Sequence, residues 1–223
     1  MNYLSNVFNT FIKKFCELSE IPTNFLEILK SPSTVLAILG CIIIFIVLFK
    51  VKNIKINSKI MARIGLALAL TCIIGMIRLY KFPQGGSITP GRFVPLFIIA
   101  FMYGPEIGLF TGLLYGLLDF LLGPYIVSPI QVLFDYPLAF MMLGLAGFFP
   151  KHKAVGVIAG TLGRMLCSII SGAVFFGEYA PEGMNSLIYS LSVNVPVVGI
   201  EGLICLVLIM IIPVDKLIHQ INK

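Results

Sequence analysis

Apolar residues run along this chain in blocks long enough to cross a lipid bilayer, separated by short polar connections. The blocks fall at residues 34–49, 60–79, 93–103, 107–122, 130–149, 154–176 and 187–212. A helix needs about 20 apolar residues to span the hydrocarbon core, so the pattern predicts an all-α integral membrane protein. Residues 60–212 hold a six-helix core bundle, and residues 34–50 add one transmembrane helix before it. Residues 1–33 read differently. Leu4, Val7, Phe8, Phe11, Ile12 and Phe15 recur at helical spacing, with Asn6, Asn9, Lys13 and Lys14 on the opposite side. That is an amphipathic segment at the membrane interface, and packing on the protein surface would satisfy it equally. Polar interruptions every few positions argue against a signal peptide. Residues 213–223 are expected to form a cytoplasmic tail.

Composition agrees with the pattern and narrows it. The 223 residues are 58% hydrophobic and 12% charged, against about 25% charged in soluble domains, and no block is left over for a soluble catalytic domain. The net charge of +6 comes from cations scattered between apolar blocks, which points to topology signals and not to nucleic acid. Lys50, Lys52, Lys55, Lys59 and Arg63 crowd one short connection and mark it as cytoplasmic. Alternation then puts Lys151, Lys153, Lys216 and Lys223 inside, and Glu178, Glu182 and the N-terminus outside. Arg78, Lys81 and Arg92 fall outside and run against the rule. The five cysteines (Cys16, Cys41, Cys72, Cys167 and Cys205) are far apart and without metal-ligand spacing, as expected of small apolar fillers.

The block at residues 93–103 is about 11 residues, roughly 16 Å of helix, too short to cross alone. Before it runs Pro83-Gln84-Gly85-Gly86-Ser87-Ile88-Thr89-Pro90-Gly91, which cannot be regular helix. Irregular backbone at membrane depth persists where protein buries it or where it lines a wet cavity. The expectation is a loop dipping over a pocket, with a plain surface turn as the alternative. Gly108, Gly112 and Gly116 are spaced for close helix contact. Ala62, Gly65 and Ala69 make a second small-residue stripe, a candidate surface for docking another protein.

Charged side chains inside a span are costly and need a partner or a task. Counting along the helices places Arg164 and Glu201 at similar depth, about 15 and 16 Å from the cytoplasmic side, and predicts a buried pair. Asp135 lies roughly 8 Å below the outer end of its helix with no basic residue at that level, and is expected to accept a cationic or hydrogen-bond-donating ligand. Asp119, near an outer helix end, is read as a carboxylate in an aqueous mouth. Ser168, Gly172 and Phe176 continue the face of Arg164, and Tyr125, Tyr136, Tyr189 and Asn194 lie in the same outer half. Aromatics can simply form the interfacial belt. Grouped with a carboxylate and an amide, they suit a flat cationic heteroaromatic.

Motifs for nucleotide hydrolysis, zinc peptidases and serine hydrolases are missing from the sequence, and its two histidines, His152 and His219, fall at predicted cytoplasmic ends. The sequence favours a binding subunit without its own energy source over an enzyme.

Over residues 60–212 the sequence resembles the thiamine-specific substrate-binding subunits of energy-coupling factor transporters. The resemblance rests on PQGGSITPG, YGLLDFLLGPYIVSPIQVLFDYPLAF and SGAVFFGEYAPEGMNSLIYSLSVN. It implies a six-helix fold in the plasma membrane that captures thiamine on the extracellular side, with no cofactor. It also implies a separate transmembrane coupling protein and two ATPases as partners. It assigns Asp135 to the aminopyrimidine and Tyr136, Tyr125, Ser168, Gly172, Phe176, Tyr189 and Asn194 to the same site. Arg164 falls on a family position of that helix, and Gly85, Gly86 and Ser87 become the lid. The family usually has histidine where this chain has Ser168, and often tryptophan where it has Phe176. Those departures leave a related vitamin or pyrimidine precursor as the alternative ligand.

Overall fold

The computed structural model describes residues 2–17, 32–52, 56–82, 86–123 and 125–221. Helix α1 is Asn2–Glu17, α2 is Pro32–Lys52 and α3 is Ser58–Met76. A two-stranded antiparallel hairpin follows, β1 (Tyr80–Lys81) paired with β2 (Ser87–Ile88). Then come α4 (Val94–Tyr103), α5 (Pro105–Leu122), α6 (Pro129–Phe148), α7 (Lys153–Phe175), α8 (Ser186–Ile211) and the short α9 (Val214–Ile221). Among the described residues, α2, α3, α5, α6, α7 and α8 are long and apolar enough to cross a membrane, and α4 is a shorter apolar helix.

Helix α6 is the centre of the bundle, buried over 72% of its length against 17% for α2 and α3. Glycines let its neighbours approach that closely. A Cβ at Gly112 would stand 2.3 Å from the Phe140 carbonyl oxygen, and one at Gly116 2.5 Å from that of Tyr136. On the other flank, a Cβ at Gly160 of α7 would reach the Leu143 carbonyl oxygen at 2.8 Å. The three-glycine stripe of α5 is therefore a backbone-to-backbone seam.

The short α4 is explained by what precedes it. After the hairpin the chain runs without helix along α8 and enters the bundle, so irregular backbone fills one half of this crossing and α4 the other. Gly86 sits against Val197, 2.8 Å from a would-be Cβ, and Gly91 against Leu208 and Ile204. Both glycines have positive φ, 79° and 86°, a conformation that side chains disfavour. Thr89 is fully buried, and its backbone N–H is satisfied by a carboxylate of α8, as buried backbone must be.

Helix α6 is not a uniform helix. Phe134–Leu138 forms a π-helical turn that contains Pro137, and Met142–Phe148 narrows to a 3-10 helix. Proline has no N–H to give to the α ladder, and a single π turn widens the helix where Asp135 and Tyr136 sit.

Candidate functional site

The π turn places Asp135 beside Ser171, in the C-terminal half of α7. Its Oδ2 accepts a 2.5 Å hydrogen bond from Gln131 Nε2. Gln131, only 1% exposed, also donates to the Tyr125 carbonyl at 3.2 Å and accepts from the Val127 N–H at 3.0 Å. One buried amide thus joins the carboxylate to the loop that carries Tyr125. Ser171 Oγ is buried beside Asp135 without completing a hydrogen bond to any described residue. Sequence reasoning passed over both Gln131 and Ser171. Gln131 was findable, one helical turn before Asp135 in a stretch otherwise apolar.

Aromatic rings wall the mouth. Tyr125 stacks on Phe176 with centroids 5.9 Å apart and planes at 22°, and Phe176 leans on Tyr179 at 6.0 Å. The Tyr125 and Tyr179 hydroxyls are 3.3 Å apart, and that shared hydrogen bond raises the Tyr125 phenol above its ordinary range. Tyr136 accepts from the Tyr125 N–H through its hydroxyl at 2.8 Å and meets Phe120 edge-on at 5.5 Å. Tyr189 lines a cavity of about 210 Å³ with Phe82, Pro181 and Met184. This cavity lies between the hairpin and the start of α8.

On α8, Asn194 Nδ2 donates to the carbonyls of Ser168 (3.2 Å) and Ser190 (3.0 Å). Its amide oxygen accepts nothing from the described residues. Ser168 contributes a backbone carbonyl to that contact. Gly172 is one of the points where α7 and α8 touch, since a Cβ there would lie 2.2 Å from Ser190 Oγ. Gly86 and Ser87 form the far arm of the hairpin against α8, and Gly85 lies outside the described residues.

One expectation is corrected and another refined. Arg164 and Glu201 attract through space but make no contact ion pair among the described residues. Glu201, 2% exposed, takes the Thr89 N–H at 2.8 Å on Oε2 and the Thr89 hydroxyl on Oε1. The irregular chain before α4 consumes the carboxylate, and Arg164 lies over Phe93 at 4.3 Å and Phe140 at 4.7 Å. Asp119, near the end of α5 and partly exposed, has partners. Its Oδ1 stands 3.5 Å from Arg92 and accepts from the Tyr115 hydroxyl at 3.2 Å. Arg92 is one of the three cations that offended the charge rule, and the structure draws it into the bundle.

These side chains make a charge count possible. On the described helices and the chain entering α4, Arg92 and Arg164 face Asp119, Asp135 and Glu201, two formal positive charges against three negative in the bundle interior. Asp119 has Arg92 and Glu201 has Thr89. Among the described residues Asp135 has two neutral neighbours, the Gln131 amide in hydrogen-bond contact and the Ser171 hydroxyl beside it, with Arg164 acting on it through space.

Glu201 is separately testable. Glu201→Ala leaves the buried Thr89 N–H unsatisfied, at a cost of about 1–3 kcal/mol. The variant should unfold several degrees below wild type in detergent and expose the hairpin to protease. Unchanged melting and cleavage would contradict the tether.

The thiamine transporter protein (Thia_YuaJ) family model matches residues 61–220. The chain belongs to this family. It is 34% identical over 160 residues to the thiamine transporter ThiT of Bacillus subtilis, covering 64% of this chain and 82% of that one. It is also 34% identical over 121 residues to ThiT of Lacticaseibacillus paracasei, covering 45% and 60%. A solved structure of ThiT from Listeria monocytogenes superposes with a TM-score of 0.62 at 27% identity, over 68% of this chain and 91% of the other. The family is one of multi-pass transport components, not enzymes. Its matched region begins within α3, so α1 and α2 lie outside it.

Proposed function

We propose that this chain is the thiamine-binding membrane subunit of an energy-coupling factor transporter, capturing the vitamin from the extracellular side. The observation that carries the reading is a buried carboxylate with no contact ion-pair partner among the described residues. Asp135 stands on a widened helical turn beside Tyr136 and is joined through Gln131 to the loop of Tyr125, whose ring stacks on Phe176. Thiamine is a flat, permanently cationic pair of rings with an exocyclic amine. Aromatic faces attract such a cation, Asp135 accepts from the amine, and the open Asn194 oxygen accepts a second donor. Tyr189 and the 210 Å³ cavity beneath the hairpin form the entrance, with Gly85, Gly86 and Ser87 as the lid.

Mass spectrometry of whatever co-purifies with the solubilised protein, followed by thiamine calorimetry, tests this reading. The expected result is co-purified thiamine and binding well below the micromolar range. Tighter binding of a pyrimidine precursor than of thiamine would replace the ligand, an outcome to which Ser168 and Phe176 give weight.

The lysine-bearing ends of α2, α3, α7 and α9 face the cytoplasm in this reading, and delivery depends on a coupling protein and two ATPases. Ala62, Gly65 and Ala69 are the docking stripe for the coupling protein. All three are exposed on α3, opposite the buried Ile64, Ala67 and Thr71, and nothing lies within 4 Å of a Cβ placed on Gly65. Ala62→Trp with Ala69→Trp is expected to abolish uptake in cells while thiamine affinity stays within about twofold of wild type. Loss of binding would remove the stripe from this role.

A further inference from the structure

The π turn that presents Asp135 is held from two sides, and only one belongs to the family's matched region. From α5, Gly112 and Gly116 press on the backbone of residues 136–141. From the opposite side comes α2. A Cβ at Gly40 would stand 2.8 Å from both Leu133 Cδ2 and Leu138 Cδ1, the residues that bracket the turn. Val47 and Val51, 6% and 8% exposed, share a core cluster with Phe134 and Leu138. The outer face of α2 is bare, with Phe45 69% and Phe49 61% exposed. Its buried surface is thus spent on α5 and on the segment that carries the carboxylate.

Helix α1 meets the same segment at its outer end. Phe11 packs edge-on against Phe120 at 6.1 Å, and Phe120 packs edge-on against Tyr136 at 5.5 Å. A chain of three rings therefore runs from α1 to the residue after Asp135. The other face of Tyr136 is fixed through its hydroxyl by the Tyr125 N–H.

A π turn containing a proline lacks part of the helical hydrogen-bond ladder, so its geometry depends on what packs around it. We propose that α1 and α2 form an accessory brace, in which Gly40 seats α2 on the π turn and Phe11 sets the Tyr136 ring, so that both act as positioning residues for ligand retention. The proposal rests on the thiamine-binding reading for its ligand readout.

The test uses the full chain in lipid nanodiscs, with labelled thiamine release and amide hydrogen exchange over residues 134–138. Phe11→Ala is expected to speed thiamine release about threefold to tenfold, the range of one aromatic pair, and Phe11→Tyr to restore it. Gly40→Leu, which forces α2 off Leu133 and Leu138, is expected to raise exchange over residues 134–138 at least tenfold and to weaken binding. Phe45→Ala, on the bare face, should change neither. If Gly40→Leu does not accumulate as folded protein, Val47→Ala takes its place with a smaller effect of the same sign. Wild-type release and exchange in Phe11→Ala and in the α2 variant would overturn the brace, even if the melting temperature falls. If wild type binds no thiamine, the functional reading fails, and exchange over residues 134–138, which needs no ligand, still decides the brace.

Discussion

Asp135→Asn should weaken thiamine binding about a hundredfold while leaving the unliganded protein as stable as wild type. Asparagine keeps the shape of the side chain, and its Oδ1 can still accept from Gln131 Nε2, the bond that joins Asp135 to the Tyr125 loop. What disappears is the charge. A buried, charge-assisted hydrogen bond whose partner is neutralised costs about 2–5 kcal/mol, or roughly 30-fold to several thousandfold in affinity. Titration calorimetry of both proteins reads the ratio. A thiamine analogue with oxygen in place of the pyrimidine amine gives a second arm. It should bind wild type poorly and lose little more in the variant, because the missing donor and the missing charge belong to one contact. Equal affinity of wild type and Asp135→Asn would remove Asp135 from the site.

The second large effect is on folding. Gly112→Leu should leave little folded protein, because its Cβ alone would stand 2.3 Å from the Phe140 carbonyl oxygen and 2.9 Å from Met141 Cα. Backbone cannot swing aside as a side chain can. Overpacking a core by a few carbons costs about 1–3 kcal/mol when side chains give way, so a clash with the main chain of the central helix should exceed that range. The readout is the monodisperse fraction after solubilisation. Gly123→Ala and Gly65→Ala are the controls, since a Cβ at either position meets nothing within 4 Å. Normal yield of Gly112→Leu would mean that α5 and α6 do not meet along this seam.

Much of the bundle was legible because hydropathy reports burial in lipid directly. The blocks at residues 107–122 and 154–176 correspond to α5 at Pro105–Leu122 and α7 at Lys153–Phe175, and the short block at residues 93–103 to α4 at Val94–Tyr103. The Gly108, Gly112 and Gly116 spacing read as a contact face for the same physical reason that it is one. The polar interior was less legible. Arg164 and Glu201 looked like a pair because a count of side chains by depth contains no symbol for a backbone donor, and it was the N–H and hydroxyl of Thr89 that took the carboxylate. Arg92 misled for a related reason. It follows the hairpin in sequence, so it seemed to lie with Arg78 and Lys81, yet the re-entrant chain carries it to Asp119. The π turn was foreshadowed by Pro137 inside an apolar block, but proline alone does not say whether a helix kinks, stops or widens.

The divided crossing between α3 and α5 has a kinetic consequence. At the mouth end its wall is a hairpin and extended chain, held to α8 by the Glu201 bonds to Thr89 and by the seat of Gly86 on Val197. At the other end it is the regular α4, packed in the bundle core. Displacing the hairpin therefore unwinds no helix and parts no glycine seam. Motion at this end is loop motion, on the nanosecond-to-microsecond scale of free loops, slowed by the Thr89–Glu201 bonds and the Gly86 seat. The helices beneath can stay rigid while the rim breathes.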